Sequence, residues 1–399
     1  MCSMKRNNKI TPEGMRDLLF EECLARRDVE RKLADVFRQR GYNEVMTSGL
    51  EFFDVCDPEV SGITPESMYK LTDRHGRLMV MRPDSTLPIA RLVSTRLQGH
   101  QLPLRLFYTQ PVWRSNPGLA GLQDENMQAG VELMGATGIR ADLEVLTTAV
   151  EALSTCVPDF RLELGHAGFF RVLAEQLPID DGVREDIRVA IEGKNYAALD
   201  AILDALPQSE AVAGMRRLPR LFGGEEVFAQ AEAVCPTEAA RSTLAYLHKI
   251  YHAVQDLGLG DRVIVDLGLV QRNDYYTGLV FTAYTEGYGD SVLMGGRYDN
   301  LLSHFGSPMP ATGFAVNVDA LTRIALVYGQ YGTPAPEVMV YSENGHVIKA
   351  LSHARALIEQ GIRCEASTAA DRAQAQADAR TRGARRMDVV GETITEVLL

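Results

Sequence analysis

From about Phe169 to Val254 the sequence carries no strand pattern, although the stretches on both sides of it do. Helix formers dominate there, as in Tyr196-Ala-Ala-Leu-Asp-Ala-Ile-Leu-Asp-Ala-Leu206. Strand patterns that stop and then resume point to one sheet-bearing core interrupted by a helical insertion, which removes most simple layered folds from consideration.

Before the insertion, Asp17–Arg40 reads as a helix, with Val29, Leu33, Val36 and Phe37 on one apolar face and Gly41 as its stop. Strand patterns cover Glu44–Thr47, Leu78–Met81, Leu104–Gln110 and Met127–Met134, with helical stretches at Thr86–Gln98 and Ala141–Leu153. After it come strands at Val263–Leu267 and Gly278–Tyr284 and a Gly-rich segment, Gly287–Gly296. The expected class is α+β, a mostly antiparallel sheet flanked by helices. A linker, Tyr331-Gly-Thr-Pro-Ala-Pro-Glu337, precedes a small α/β unit. That unit has strands at Val338–Tyr341 and Met387–Val390 and helices at His346–Gln360 and Ala369–Arg386. The expected domains are a core of 10–168 with 258–330, an insertion of 169–257, and a C-terminal unit of 336–399.

A chain of 399 residues is longer than one hydrophobic core usually serves, which agrees with several domains. No apolar run reaches the roughly 18 residues of a membrane span, and the polar N-terminus lacks a signal-peptide core. A cytoplasmic protein without a membrane partner is the expectation. Cys2, Cys23, Cys56, Cys156, Cys235 and Cys364 are scattered without paired spacing, which suggests reduced and mostly buried thiols. His248 and His252 share a helical face, but no third ligand lies near them in sequence. A solvated face is therefore expected, and no metal or cofactor is assigned. The net charge of −12 argues against nucleic acid as a partner, because such binding rests on phosphate neutralisation.

Four polar clusters carry possible chemistry. In Arg82-Pro-Asp-Ser-Thr86, Asp84 and Thr86 either hold a ligand ammonium or cap the following helix. In Gln128-Ala-Gly-Val-Glu132, Gln128 and Glu132 share a strand face with Gly130 between them, which leaves room for a small ligand or forms an exposed polar face. Asn273-Asp-Tyr-Tyr-Thr-Gly278 offers two tyrosines that a strand would point to opposite faces, so that at most one enters a given pocket, or else a β-turn followed by a strand with aromatic packing. Met294-Gly-Gly-Arg-Tyr-Asp299 reads as a tight turn.

Taken in order with Thr11-Pro-Glu-Gly-Met-Arg-Asp-Leu-Leu19, Trp113-Arg114 and Gly313-Phe-Ala315, these segments resemble histidyl-tRNA synthetase, a class II aminoacyl-tRNA synthetase. The resemblance spans about residues 10 to 330. It implies a histidine pocket in which Asp84, Thr86 and Gln128 hold the amino group. Glu132 and Tyr275, with Tyr276 beside them, hold the imidazole, and Arg114 is a remnant phosphate contact. The adenylation residues depart from the family pattern. Asp319-Ala320 stands where Glu-Arg belongs, Gln271-Arg-Asn precedes Asp274 where the family has Arg-Gly-Leu, and the loop Gly121–Met127 is acidic instead of basic. Only about 65 residues follow Pro334, fewer than the family's anticodon-binding domain has, and Arg380, Arg382, Arg385 and Arg386 read as a solvated helix end.

A histidine pocket without ATP chemistry resembles the regulatory-subunit family of short-form ATP phosphoribosyltransferase. That resemblance implies a homodimer with no catalytic residue of its own. It would bind L-histidine and assemble with a separate catalytic subunit into a hetero-octamer. A divergent histidyl-tRNA synthetase and a synthetase-like histidine-binding module with another partner are the alternatives.

Overall fold

The computed structural model describes residues 9–116, 123–234, 237–270 and 275–399, which fall into two compact units, Met1–Gln330 and Tyr331–Leu399. Among the described residues no helix is long and apolar enough to cross a membrane.

The first unit opens with helix α1 (Phe20–Gln39), which buries Ala25, Val29, Leu33, Val36 and Phe37. It begins three residues later than its periodicity suggested. Its end follows from Gly41 at φ +81°, where the Gly41 and Tyr42 amides return to the carbonyls of Arg38 and Phe37. Strands β1 (Asn43–Glu44) and β2 (Leu50–Phe52) follow, then a one-turn helix α2 (Pro58–Ser61). Next come β3 (Lys70–Thr72), β4 (Leu78–Met81), α3 (Thr86–Arg96) and the long hairpin β5 (Leu104–Trp113) and β6 (Glu125–Met134). Helix α4 (Gly138–Cys156) leads to β7 (Arg161–His166), which sequence reasoning missed.

The insertion runs through α5 (Ala167–Ala174), α6 (Asp181–Glu192), α7 (Tyr196–Asp204) and α8 (Glu210–Arg217). A two-residue strand β8 (Phe222–Gly223) precedes α9 (Glu226–Glu232) and α10 (Glu238–Asp256). Its helices start where side chains can cap them: Asp180, Asn195, Ser209 and Thr237 each accept from the amide three residues on. Strands β9 (Val263–Asp266), β10 (Leu279–Tyr284), β11 (Leu293–Arg297) and β12 (Ala311–Asn317) return to the core, and α11 (Val318–Tyr328) closes it.

These strands form a nine-stranded sheet in the order β1-β5-β6-β12-β11-β10-β7-β9-β8, antiparallel except at β1–β5 and β7–β9. A separate sheet, β2-β4-β3, lies beside the start of α3 in the chain. The expected tight turn at Met294–Asp299 is instead mostly strand β11. Gly295 and Gly296 are there because a Cβ would sit 2.6 Å from the Phe281 ring and 2.7 Å from the Tyr276 ring. Of the described cysteines only Cys56 is buried, while Cys23 is exposed and Cys156 and Cys364 lie between, so the expectation of mostly buried thiols fails.

The C-terminal unit contains β13 (Val338–Ser342), α12 (Val347–Glu359), β14 (Cys364–Ala366), α13 (Arg372–Thr381), β15 (Arg386–Val390) and β16 (Ile394–Leu398). Its sheet order is β14-β13-β15-β16. Alternation along β13 places Val338 and Val340 with α12 and Met339 with α13, so both faces of the sheet are covered. The arginine cluster is spread out: Arg382 pairs with Glu365, and Arg386 lies in β15 against the buried Asp388.

Candidate functional site

The loop from β4 to α3 delivers Asp84 and Thr86, and the two readings of that cluster turn out to be compatible. Asp84 Oδ1 accepts from the amides of Thr86 at 2.8 Å and Leu87 at 3.1 Å, as a helix cap. Its Oδ2 stands 3.6 Å from Arg114 Nη2, and Arg114 is itself steadied by donating from Nε to the Pro83 carbonyl. Thr86 does not cap. Its hydroxyl donates to Glu132 Oε1 at 2.7 Å.

Glu132 is fully buried in β6 and also accepts from the Tyr298 hydroxyl. Burial pushes its carboxyl pKa up to about 8, while the bonds from Tyr298 and Thr86 pull the other way. The acid is therefore largely neutral near pH 7. Gly313, directly across from it in β12, is required, because a Cβ there would lie 2.1 Å from Glu132 Oε2. Gln128, two positions up the same face of β6, has a buried Oε1 with no hydrogen-bond partner among the described residues.

Tyr275, Tyr276 and Tyr298 form an aromatic wall, with ring centroids 4.9 Å apart for Tyr275–Tyr276 and 5.7 Å for Tyr275–Tyr298. Burial holds the Tyr275 and Tyr298 phenols well above their ordinary pKa, so both remain neutral donors. The expectation that at most one of the adjacent tyrosines reaches a pocket is wrong. The strand begins only at Leu279, so strand alternation does not apply at Tyr275 and Tyr276.

Asp84, Thr86, Arg114, Gln128, Glu132, Tyr275 and Tyr276 all line one cavity of about 250 Å³. Its chemistry is graded. Two acceptors, Asp84 Oδ2 and Gln128 Oε1, suit an ammonium group, and the neutral acid and phenols suit a polar ring that both donates and accepts. Sequence reasoning missed Tyr298, hidden in the supposed turn, and Glu192, which α6 of the insertion brings to the cavity wall.

A second cavity of about 190 Å³ shares Arg114 and Gln128 with the first. It also meets Asp290, Asp319 and Arg323. Asp319, at the start of α11, is buried and accepts from the Met127 amide at 2.6 Å, with Arg16 and Arg26 each 3.9 Å away. Arg323, one turn further along α11, was not anticipated. The acidic loop has a structural task, since Asp124 accepts from the Tyr69 hydroxyl and the Asn116 amide and packs on Gly14. Gln271, Arg272, Asn273 and Asp274, and Gly121 and Leu122, lie outside the described residues.

A family model described as histidyl-tRNA synthetase matches residues 14–321. An ATP phosphoribosyltransferase regulatory subunit from Clostridium botulinum is 42% identical over 316 residues, covering 78% of this chain and 75% of its own. The protein of the same name from Clostridium kluyveri is 39% identical over 362 residues, covering 90% of this chain and 93% of its own. The chain belongs to the ATP phosphoribosyltransferase regulatory subunit family. A solved structure from Bacillus halodurans, described as an ATP phosphoribosyltransferase regulatory subunit/histidyl-tRNA synthetase, aligns with a TM-score of 0.83 at 29% identity. It covers 94% of this chain and 97% of that one. Histidyl-tRNA synthetase from Nostoc sp. PCC 7120, at 17% identity and a TM-score of 0.75, shows the shared fold alone, with 98% of this chain and 97% of its own covered. As a member of the regulatory subunit family the chain has the class II synthetase-like α+β fold expected of it, with a role in histidine biosynthesis.

Proposed function

We propose that the chain is a non-catalytic subunit that binds L-histidine in the cavity around Glu132 and so controls a separate ATP phosphoribosyltransferase catalytic subunit. The carrying observation is the convergence of Asp84, Gln128, Glu132 and Tyr275 on one cavity whose acceptors and neutral donors match the ligand's two ends. The α-ammonium goes to Asp84 Oδ2 and Gln128 Oε1, and Arg114 stands ready for the α-carboxylate. The imidazole meets Glu132 and Tyr275, with Tyr276 closing the wall. Thr86 is assigned a different part from the one the resemblance implied: its hydroxyl is spent on Glu132, so it positions that acid.

Regulation requires that histidine bind two states of the assembly unequally. The assembly is proposed as a homodimer of this chain joined with catalytic subunits in a hetero-octamer. Phosphoribosyl-ATP formation by the catalytic subunit is the test, measured with and without this chain across a histidine titration. Stimulation that histidine reverses is expected. No stimulation at saturating subunit ratio would end the regulatory reading.

A divergent histidyl-tRNA synthetase is the second reading, and Arg114 and Arg323 facing the second cavity favour it. Against it, Asp290 and Asp319 line the same cavity, so a triphosphate would meet two acids with its two cations. Histidine-dependent ATP–pyrophosphate exchange decides between the two, and none is expected.

A further inference from the structure

The insertion holds a second group of side chains capable of specific chemistry, none of which lines either cavity. Glu225 immediately precedes α9, and His248 and His252 lie one turn apart on α10. In sequence the two histidines lacked a third ligand. The fold supplies one from 23 residues upstream of His248.

Glu225 Oε1 is 2.6 Å from His248 Nε2 and 3.5 Å from His252 Nε2. All three donor atoms lie within 4.8 Å of one another. A carboxylate–imidazole hydrogen bond accounts for His248 alone. It does not account for the second imidazole turned toward the same oxygen, with its ring centroid 4.3 Å from the first. Phe228, on the first turn of α9, stacks on the His248 ring at 4.1 Å and 29°, which fixes the plane in which Nε2 points.

We infer that Glu225, His248 and His252 form a binding site for a divalent transition-metal ion of the Zn2+ type. Two imidazole nitrogens and one carboxylate oxygen are a donor set that favours zinc and its neighbours over Mg2+ or Ca2+, which take oxygen ligands. A tetrahedral ion about 2.1 Å from each donor needs donors about 3.4 Å apart. The His252–Glu225 pair is already at that spacing. The His248–Glu225 pair must open by less than about 1 Å, which a half-exposed Glu225 side chain permits. Three protein ligands leave at least one coordination position for water. The ion would pin the start of α9 to the middle of α10 and so stiffen the insertion.

The probe is Zn2+ itself, with Co2+ as a spectroscopic substitute, added to the full chain in histidine-free buffer because free L-histidine chelates both ions. One Co2+ per chain with ligand-field absorption in the visible range is expected, displaced by Zn2+, together with a rise in Tm on adding Zn2+. His252→Ala and Glu225→Gln, both at exposed positions, should keep the metal-free Tm and circular dichroism of the parent. Each should weaken Zn2+ binding by about 10-fold or more and lose the Tm response. Equal Zn2+ affinity in the parent and the His248→Ala/His252→Ala double variant would place the metal elsewhere, the exposed Cys23 included, and overturn the assignment. So would a parent chain that takes up neither ion below millimolar concentration.

Discussion

The hydroxyl of Thr86 donates to Glu132 over 2.7 Å, joining the first residue of α3 to the C-terminal part of β6 inside the cavity. Together with the Tyr298 hydroxyl it engages both oxygens of an acid that burial has made hard to ionise. Most of the chemistry expected of this site depends on that arrangement.

The first expectation concerns pH. The Glu132 pKa is raised from 4.5 to about 8, so between those values the folded chain holds a proton that the unfolded chain has released. Its stabilising contribution is complete below about pH 4.5 and is lost as pH rises through about 8. Glu132→Gln imitates the neutral acid and removes the loss. The stability of E132Q relative to the parent, from urea melts between about pH 5 and pH 9, should rise with pH by on the order of a few kcal/mol. A difference that stays flat across that range would show that Glu132 ionises like an ordinary carboxylate.

Asp84 serves the helix and the cavity with different oxygens, so the two tasks can be separated. Asp84→Asn retains a capping oxygen and should leave stability within about 1 kcal/mol of the parent. It loses the charge offered to the ligand ammonium, and calorimetry should show histidine affinity lowered by about 10- to 100-fold. Asp84→Ala should lower both. Undiminished affinity in D84N would move the ammonium away from Asp84.

Gly313→Ala puts a methyl group 2.1 Å from Glu132 Oε2 and 2.4 Å from the Val131 carbonyl, which is backbone and cannot swing aside. A stability cost of about 1–3 kcal/mol is expected, together with weakened histidine binding, because the acid must shift. Gly332→Ala, with nothing within 4 Å of the added carbon, is the control and should change neither. Thermal melts and calorimetry on the pair check both claims.

Away from the cavity, Asp142 is fully buried and accepts from Arg297 Nε at 2.9 Å and from the Tyr246 hydroxyl at 2.5 Å. It thus ties α4 to β11 and to α10 of the insertion. Asp142→Ala leaves Arg297, among the described residues, with only Asp299 as a carboxylate partner and should cost about 3 kcal/mol in denaturant melts. Tyr246→Phe should cost about 1 kcal/mol. Equal costs for both would mean that the Arg297 pair contributes nothing.

Elements with a regular apolar period were legible in the sequence. Val29, Leu33, Val36, Phe37 and Gly41 announced α1, and Leu78–Met81 is a strand with the bounds its pattern suggested. Strands β11 and β12 were not legible, because Gly295, Gly296 and Gly313 sit where neighbouring side chains need the space, and such positions read locally as turns. The clusters holding Asp84, Gln128, Glu132 and Tyr275 were visible as residue types, but spacing alone did not join them; the family resemblance grouped them, and the fold brings them to one cavity. Glu192 and Glu225 carried no signal, since each meets its partners only after the insertion has folded back on itself or on the core.

The presence of Glu192 in the cavity wall has a thermodynamic consequence. A ligand there that contacts Glu192 as well as the core would touch two stretches of chain that were separated by the interruption of the sheet, so its affinity would depend on how firmly α6 is held. Anything that grips or loosens the insertion from outside would then share in the free energy of such a ligand, and by reciprocity the ligand would report its presence on the insertion's outer surface.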